Sequence, residues 1–248
     1  MRPTLAALAV IVVSATGGAQ APHKFPPDSL VNTRVIARST PVISVIGTMR
    51  NFTTYLGVRC QYCHVGEEGL PLTQFDFVSD TKRTKVVARE MMLMVAEINR
   101  RLDSLPGRSS PGLQVTCNTC HRGTNRPVPL STLIAEAATA AGADSATHAY
   151  RALRERYYGR DAFDFGEGSL NTAAFRLGIA KKFDESFAML KLNEELFPGS
   201  SGMYVFRGNI NLMKADTAAA ELAFREAVRR DSTNAEARGR LQAIGKKP

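Results

Sequence analysis

No tryptophan occurs in the 248 residues, and cysteine and histidine are limited to four of each. Between residues 43 and 128 bulky apolar side chains are also sparse, so that stretch is short of material for a core of its own. No apolar run reaches the roughly 18 residues that a membrane span needs, so no transmembrane helix is expected. The longest run, Leu5 to Val13, follows Arg2 and leads into Ser14-Ala15-Thr16-Gly17-Gly18-Ala19. That order is a signal peptide, residues 1–19, with the cut placed after Ala19 because Pro22 disfavours one after Ala21. No cysteine stands at the cut, so no lipid anchor is expected. The mature protein is expected to be exported and soluble, in the periplasm or at the cell surface. Its Pro-rich start, within residues 20–42, reads as a flexible arm.

The four cysteines fall into two copies of one pentapeptide, Cys60-Gln61-Tyr62-Cys63-His64 and Cys117-Asn118-Thr119-Cys120-His121. A zinc ribbon would set its two Cys-x-x-Cys pairs about 15–20 residues apart, whereas 53 residues separate Cys63 from Cys117. A thioredoxin-type redox pair needs a βαβ context that the sequence lacks. Two disulfides would give no reason for a histidine after each pair. Cys-x-x-Cys-His is instead the spacing of c-type haem attachment, in which each thiol bonds one vinyl group and the histidine becomes an iron ligand. Two covalently bound haem c groups are therefore expected, with His64 and His121 as proximal ligands. Haem c is attached outside the cytoplasm, in agreement with the signal peptide.

A sixth ligand decides what each iron does. A Met thioether fills the coordination sphere and suits electron transfer, while an open position permits peroxide or gas chemistry. Met49 lies on a helix predicted over Ile43–Leu56 that stops at Gly57. The next predicted helix starts after Ser79-Asp80, which can cap it, and ends before Pro106-Gly107. Its residues Val87, Met91, Met94, Ile98 and Leu102 form one stripe facing inward. From pattern alone, Met49 is equally a ligand or core filling, and Met91 and Met94 are not distinguished. His23 and His148 stand apart from both motifs and read as bystanders. Arg50, Arg59 and Arg122, close to the motifs, are either propionate partners or ordinary surface residues.

Met49-x10-Cys60 with Leu56-Gly57-Val58, then Ala88-Arg89-Glu90-Met91-Met92-Leu93-Met94, Ile98-Asn99 and Val115-Thr116-Cys117-Asn118-Thr119-Cys120-His121-Arg122-Gly123, resembles the cytochrome c subunit of photosynthetic reaction centres. The resemblance covers residues 43 to 128. It implies haems carried on helix–turn–CxxCH units, Met49 as distal ligand of the Cys60–Cys63–His64 haem, and Met91 as that of the Cys117–Cys120–His121 haem, with Met94 the alternative. The family's subunit has two related halves, and this chain has one. The loop from Leu105 to Leu113 holds no histidine, so the cross-half His ligand used there is missing, as is the lipid anchor. A photosynthetic role does not follow.

After Pro127-Val128-Pro129 the composition changes. Residues 131 to 142 are Ala-rich, and Ser145–Tyr158 reads as a helix ending at Gly159. Ala174, Ser186, Leu190, Asn193 and Pro198 are matched 34 positions later by Gly208, Ala220, Phe224, Ala227 and Ser232. Small residues at the first two places, a large apolar third and a turn residue last resemble the tetratricopeptide repeat, a helical hairpin of that length. Asn234–Ile244 reads as a closing helix. The expected fold is thus mainly α, a dihaem c-type cytochrome domain over 43–130 followed by a tetratricopeptide-like domain over 131–248.

The expected function is electron transfer between redox partner proteins through two His/Met haems, with the repeats as a docking surface and no enzymatic activity. A dihaem peroxidase or a haem-based redox sensor is the alternative, and each requires one open iron. The formal charge of +9 falls by one when Arg2 leaves. No basic stripe interleaved with aromatics and no nucleic-acid motif accompanies it, so nucleic acid is not an expected partner. A positive face that steers an acidic redox partner accounts for the charge as well as an ordinary solvated surface does.

Overall fold

The computed structural model describes residues 23–247, so the expected signal peptide lies outside the described residues. Among these residues the chain is mainly helical and contains no strand. The helices are α1 (Val42–Leu56), α2 (Arg83–Asp103), α3 (Cys117–His121), α4 (Leu130–Tyr157), α5 (Glu167–Ile179), α6 (Phe183–Leu196), α7 (Gly202–Met213), α8 (Thr217–Arg230) and α9 (Ala235–Ala243). Short 3-10 turns occupy Cys60–Tyr62 and Leu72–Gln74. None of the helices is long and apolar enough to cross a membrane. α1 stops where expected, with Gly57 just beyond it in the left-handed region (φ +63°), a conformation that costs a side-chain-bearing residue about 1–2 kcal/mol.

The described chain divides into two compact units. One comprises residues up to 53 together with 58–114, and the other comprises 54–57 together with 115–247. The boundary expected at residue 130 falls inside the second unit, which holds the second Cys-x-x-Cys-His motif as well as the helices that follow it.

In the first unit α1 and α2 bury none of their residues, and Phe75 is the one fully buried apolar side chain among those described. Residues 23–41 have no regular structure, but they are not a free arm. The Asn32 side chain donates to Val78 O (2.6 Å) and to Asp80 Oδ1 (2.9 Å), Arg89 donates to Asn32 O (2.8 Å), and Phe25 packs on Phe77 (5.4 Å between ring centres). Ser79 and Asp80 do not cap α2, which starts three residues later at Arg83. The Asp80 carboxylate instead faces Arg89 (2.9 Å) and Lys85 (3.2 Å). Two cations outcompete the backbone N–H groups that a cap would serve.

The second unit has the molecule's apolar core. α4 breaks at Ala141 and Gly142 (φ +82°), separating an Ala-rich segment from the helix that ends before Gly159. Leu130, Ile134, Ala138, Ala146 and Tyr150 of α4 join one core with α5 to α9. α5/α6 and α7/α8 are two helical hairpins, and the second repeats the first at the 34-residue offset. Ala174, Ser186, Leu190 and Asn193, and their counterparts Gly208, Ala220, Phe224 and Ala227, are all buried. Ser186 Oγ donates to Ala174 O (2.6 Å) and Asn193 Nδ2 to Asn171 Oδ1 (2.8 Å), so two buried polar side chains of the first hairpin are tied within it. In the second hairpin a bare Gly208 lies against the Phe224 ring where the first sets Ala174 and Leu190. α9 closes the stack, capped by Asn234 Oδ1, which accepts from Ala237 N (2.9 Å).

Candidate haem-binding site

In the first unit the Cys60–Tyr62 turn carries the two cysteines and the histidine of one motif. Both Cys63 N and His64 N donate to Cys60 O, at 3.2 and 2.9 Å. Asp76 N donates to Val65 O (2.8 Å), which brings back the segment carrying Phe75 and Phe77. Phe77 meets the His64 ring edge-on at 4.9 Å and stacks on Phe75 at 5.7 Å. Gly66 is where this floor comes closest, since a Cβ there would lie 2.5 Å from the Phe75 ring.

Lys82, just before α2, and Thr84 in its first turn hold the same loop. Lys82 Nζ donates to Gln61 O and Thr84 Oγ1 donates to Tyr62 O, the carbonyls of the two residues between the cysteines. Burial above all, and then the Lys85 ammonium, lower the His64 pKa to about 4, so the ring is neutral and able to ligate a metal. Burial raises the Cys63 thiol above its ordinary value. His64 Nδ1 is buried without a hydrogen-bond partner.

The second motif is α3 itself. Thr116 N–H donates to Thr119 Oγ1 (2.9 Å) across its first turn, and Arg122 (φ +49°) and Gly123 (φ +85°) reverse the chain after it. Gly123 N then donates to Tyr55 O (2.9 Å) in the last turn of α1, and Gly57 lies against the Gly123 carbonyl. Thr124 is buried, and its hydroxyl donates to His121 O at 2.9 Å. His121 Nδ1 is 2.9 Å from Thr124 O. A carbonyl can only accept, so Nδ1 carries the proton and Nε2 presents its lone pair, the arrangement a ligating histidine needs. Burial raises the Cys117 thiol, whereas Cys120 is exposed.

Thr124 escaped the sequence reading, because nothing in Cys-x-x-Cys-His marks the residue three places further on.

Of the other candidates, Met49 is partly covered, and Met91 and Met94 are 39% and 51% exposed. The α2 stripe therefore does not face a protein core as expected. Val87, Met91 and Met94 are open, while Met92 is the better covered methionine. Arg59 is exposed, and Arg122 lines a shallow depression with Asn118, Thr119 and Asp161. His148 is exposed on α4, and the His23 backbone N–H donates to Thr73 O (2.6 Å). No group of three or more His, Cys, Asp or Glu gathers among the described residues in a way that would hold a bare metal ion.

The donor set fits haem c rather than a bare ion. It provides free thiol pairs on turns, each followed by an imidazole, one of which has its tautomer fixed and the other a buried nitrogen without a partner. It also provides α1 and α2, which carry apolar faces yet bury none of their residues.

Comparison with known families agrees. The model of the photosynthetic reaction centre cytochrome C subunit matches residues 44–155. This segment of the chain is similar to that family. The match suggests covalently bound haem c, a role in electron transfer, and redox proteins as partners. No curated protein and no solved structure matches the chain significantly. The family segment ends within α4, whose side chains belong to the core of the hairpins.

Proposed function

We propose that this chain is an exported two-haem electron carrier with a protein-docking module in the same polypeptide. One haem is bound through Cys60, Cys63 and His64, and the other through Cys117, Cys120 and His121. Met49 is the proposed sixth ligand of the first. Met91, or Met94 in its place, is that of the second. These methionine assignments rest on the family resemblance. The observation that carries the reading is that two complete Cys-x-x-Cys-His loops, using every cysteine in the chain, lie within the segment of a haem c family.

A bound haem iron supplies one-electron Fe(II)/Fe(III) chemistry. The chain's own residues attach, orient and shield it. The thiols prevent its loss, and the Thr124 carbonyl aims the His121 ring. Phe77 packs against the His64 ring, and the open faces of α1 and α2 are covered as the porphyrins take up their apolar surface. Hairpins α5/α6 and α7/α8, with α9, are read as tetratricopeptide-like repeats that hold a redox partner.

The test is an optical spectrum of protein matured with the haem c attachment machinery, oxidised and then reduced, with haem counted per chain. Two covalent haems with low-spin Met–His spectra that ignore carbon monoxide are expected. One haem, or a high-spin signal that shifts with carbon monoxide, would replace this reading with the peroxidase or the sensor.

A further inference from the structure

We propose that the haem bound through Cys60, Cys63 and His64 is the higher-potential of the two, and that Lys85 is a positioning residue that sets the difference through its charge. This rests on the two-haem reading above. Lys85 Nζ donates to Phe77 O (2.9 Å), Val78 O (3.0 Å) and Ser79 O (2.8 Å). The ammonium is thereby fixed on the backbone of the residue whose ring packs edge-on against His64. The Lys85 side chain is only 11% exposed and that of Arg89 14%, so solvent screens these charges weakly. Lys82 adds a third cation, bonded to Gln61 O inside the motif.

Two carboxylates oppose them. Asp80 is shared between Lys85 and Arg89, and Asp76 directs one oxygen to Val78 N (2.8 Å) and Ser79 N (2.9 Å). With Arg34, more exposed and 4.0 Å from Asp80, four cations against two anions leave a positive balance beside the loop. Ferric haem carries one more positive charge than ferrous haem, so this balance favours the ferrous state and raises the potential.

The second motif has the opposite bias. The His121 Nδ1–H···O=C bond to Thr124 raises the basicity of the imidazole, which stabilises the ferric state. His64 Nδ1 has no such acceptor. Arg122, which directly follows the second motif, is exposed to screening solvent, and Arg126 is neutralised by a two-pronged pair with Glu136, one contact being 2.7 Å. Charge and ligand basicity thus both put the Cys60 haem above the Cys117 haem.

Spectroelectrochemical titration of the full-length, haem-loaded protein tests this. Two one-electron waves are expected. Lys85→Met should move only the upper wave downward, by about three- to tenfold in the reduction equilibrium, a tenfold change being about 59 mV for one electron. Lys85→Arg should hold the upper wave near its original position. Asp80→Asn, which removes a negative charge from the same cluster, should move the upper wave upward. A shift on the lower wave, no shift in either neutralising variant, or shifts of the same sign in both would overturn the proposal. Should Lys85→Met fail to take up haem, Asp80→Asn decides alone, since its side chain is partly solvent-facing. Fewer than two haems per chain, counted before any potential is read, would defeat the two-haem reading itself and the proposal with it.

Discussion

A methyl group added at Gly208 tests the register of the two hairpins more sharply than any truncation. Gly208 lies within α7, where Ala is the better helix former by about 1 kcal/mol. Its Cβ, however, would fall 2.3 to 2.6 Å from three atoms of the Phe224 ring, and Phe224 is fully buried with nowhere to swing. Overpacking costs about 1–3 kcal/mol, and contacts this short put it in the upper part of that range, about 2–3, so after the helix gain Gly208→Ala is expected to destabilise by about 1–2 kcal/mol. That lowers the thermal midpoint by roughly 3–8 °C for a unit of this size. The first hairpin already holds the compatible pair, Ala174 with Leu190, at the equivalent places. Phe224→Leu alone removes ring volume and should cost about 1–2 kcal/mol. The double variant reproduces the first hairpin's pair and should be less destabilised than the sum of the singles, by about 1–2 kcal/mol. The assay is thermal melting of the full chain followed by helical circular dichroism. A Gly208→Ala protein as stable as the original, or strictly additive singles, would refute the 34-residue superposition.

Three further outcomes are expected. Gly57→Ala places a Cβ 2.1 Å from the Gly123 carbonyl oxygen at a left-handed residue, so it should cost about 2–4 kcal/mol and lower haem incorporation at the neighbouring motifs, read as haem per chain. Thr124→Val keeps the carbonyl that orients His121 but loses the hydroxyl bond to His121 O. It should cost about 1–2 kcal/mol in the melt and leave the low-spin spectrum in place. Acid should loosen the fold in a known window. Glu97, beside Arg100 and Arg101, and Glu226, beside Arg229 and Arg230, have folded pKa values lowered to about 2 from 4.5. Their contribution is therefore complete above pH 4.5 and lost as pH falls toward 2. Glu226→Gln should flatten that slope slightly in low-salt melts, and because the group faces solvent the difference should vanish at high ionic strength.

Much of this was legible in the sequence, for physical reasons that differ from element to element. The two pentapeptides are local, so their turns follow from five residues each. α1 could be bounded because Gly57 supplies a conformation other residues resist, and the helix ending before Gly159 for the same reason. The hairpins were legible through volume at fixed offsets, small at 174 and 208 against large at 190 and 224. What was missed is long-range. Ser79-Asp80 has the composition of a helix cap, but Arg89 and Lys85 claim the carboxylate. The Pro-rich start reads as loose, but Asn32 and Phe25 find partners near residues 77 to 89. The inward stripe on α2 was inferred from periodicity, which shows that a face is apolar but not whether protein or porphyrin covers it. For the same reason Met91 and Met94 stay indistinguishable by spacing.

The second motif and the hairpins share one compact unit, joined through α4 rather than by a linker. A flexible tether between a cofactor and a docking module would spread their separation over many values and make electron transfer wait for favourable encounters. Here no such averaging intervenes. On the proposed reading, a partner seated on the hairpins would hold its own redox centre at one set distance from an iron bound by His121. The rate of exchange would then be written into the geometry of the repeats, and inserting a few residues near Gly142 would act as a dimmer on that current.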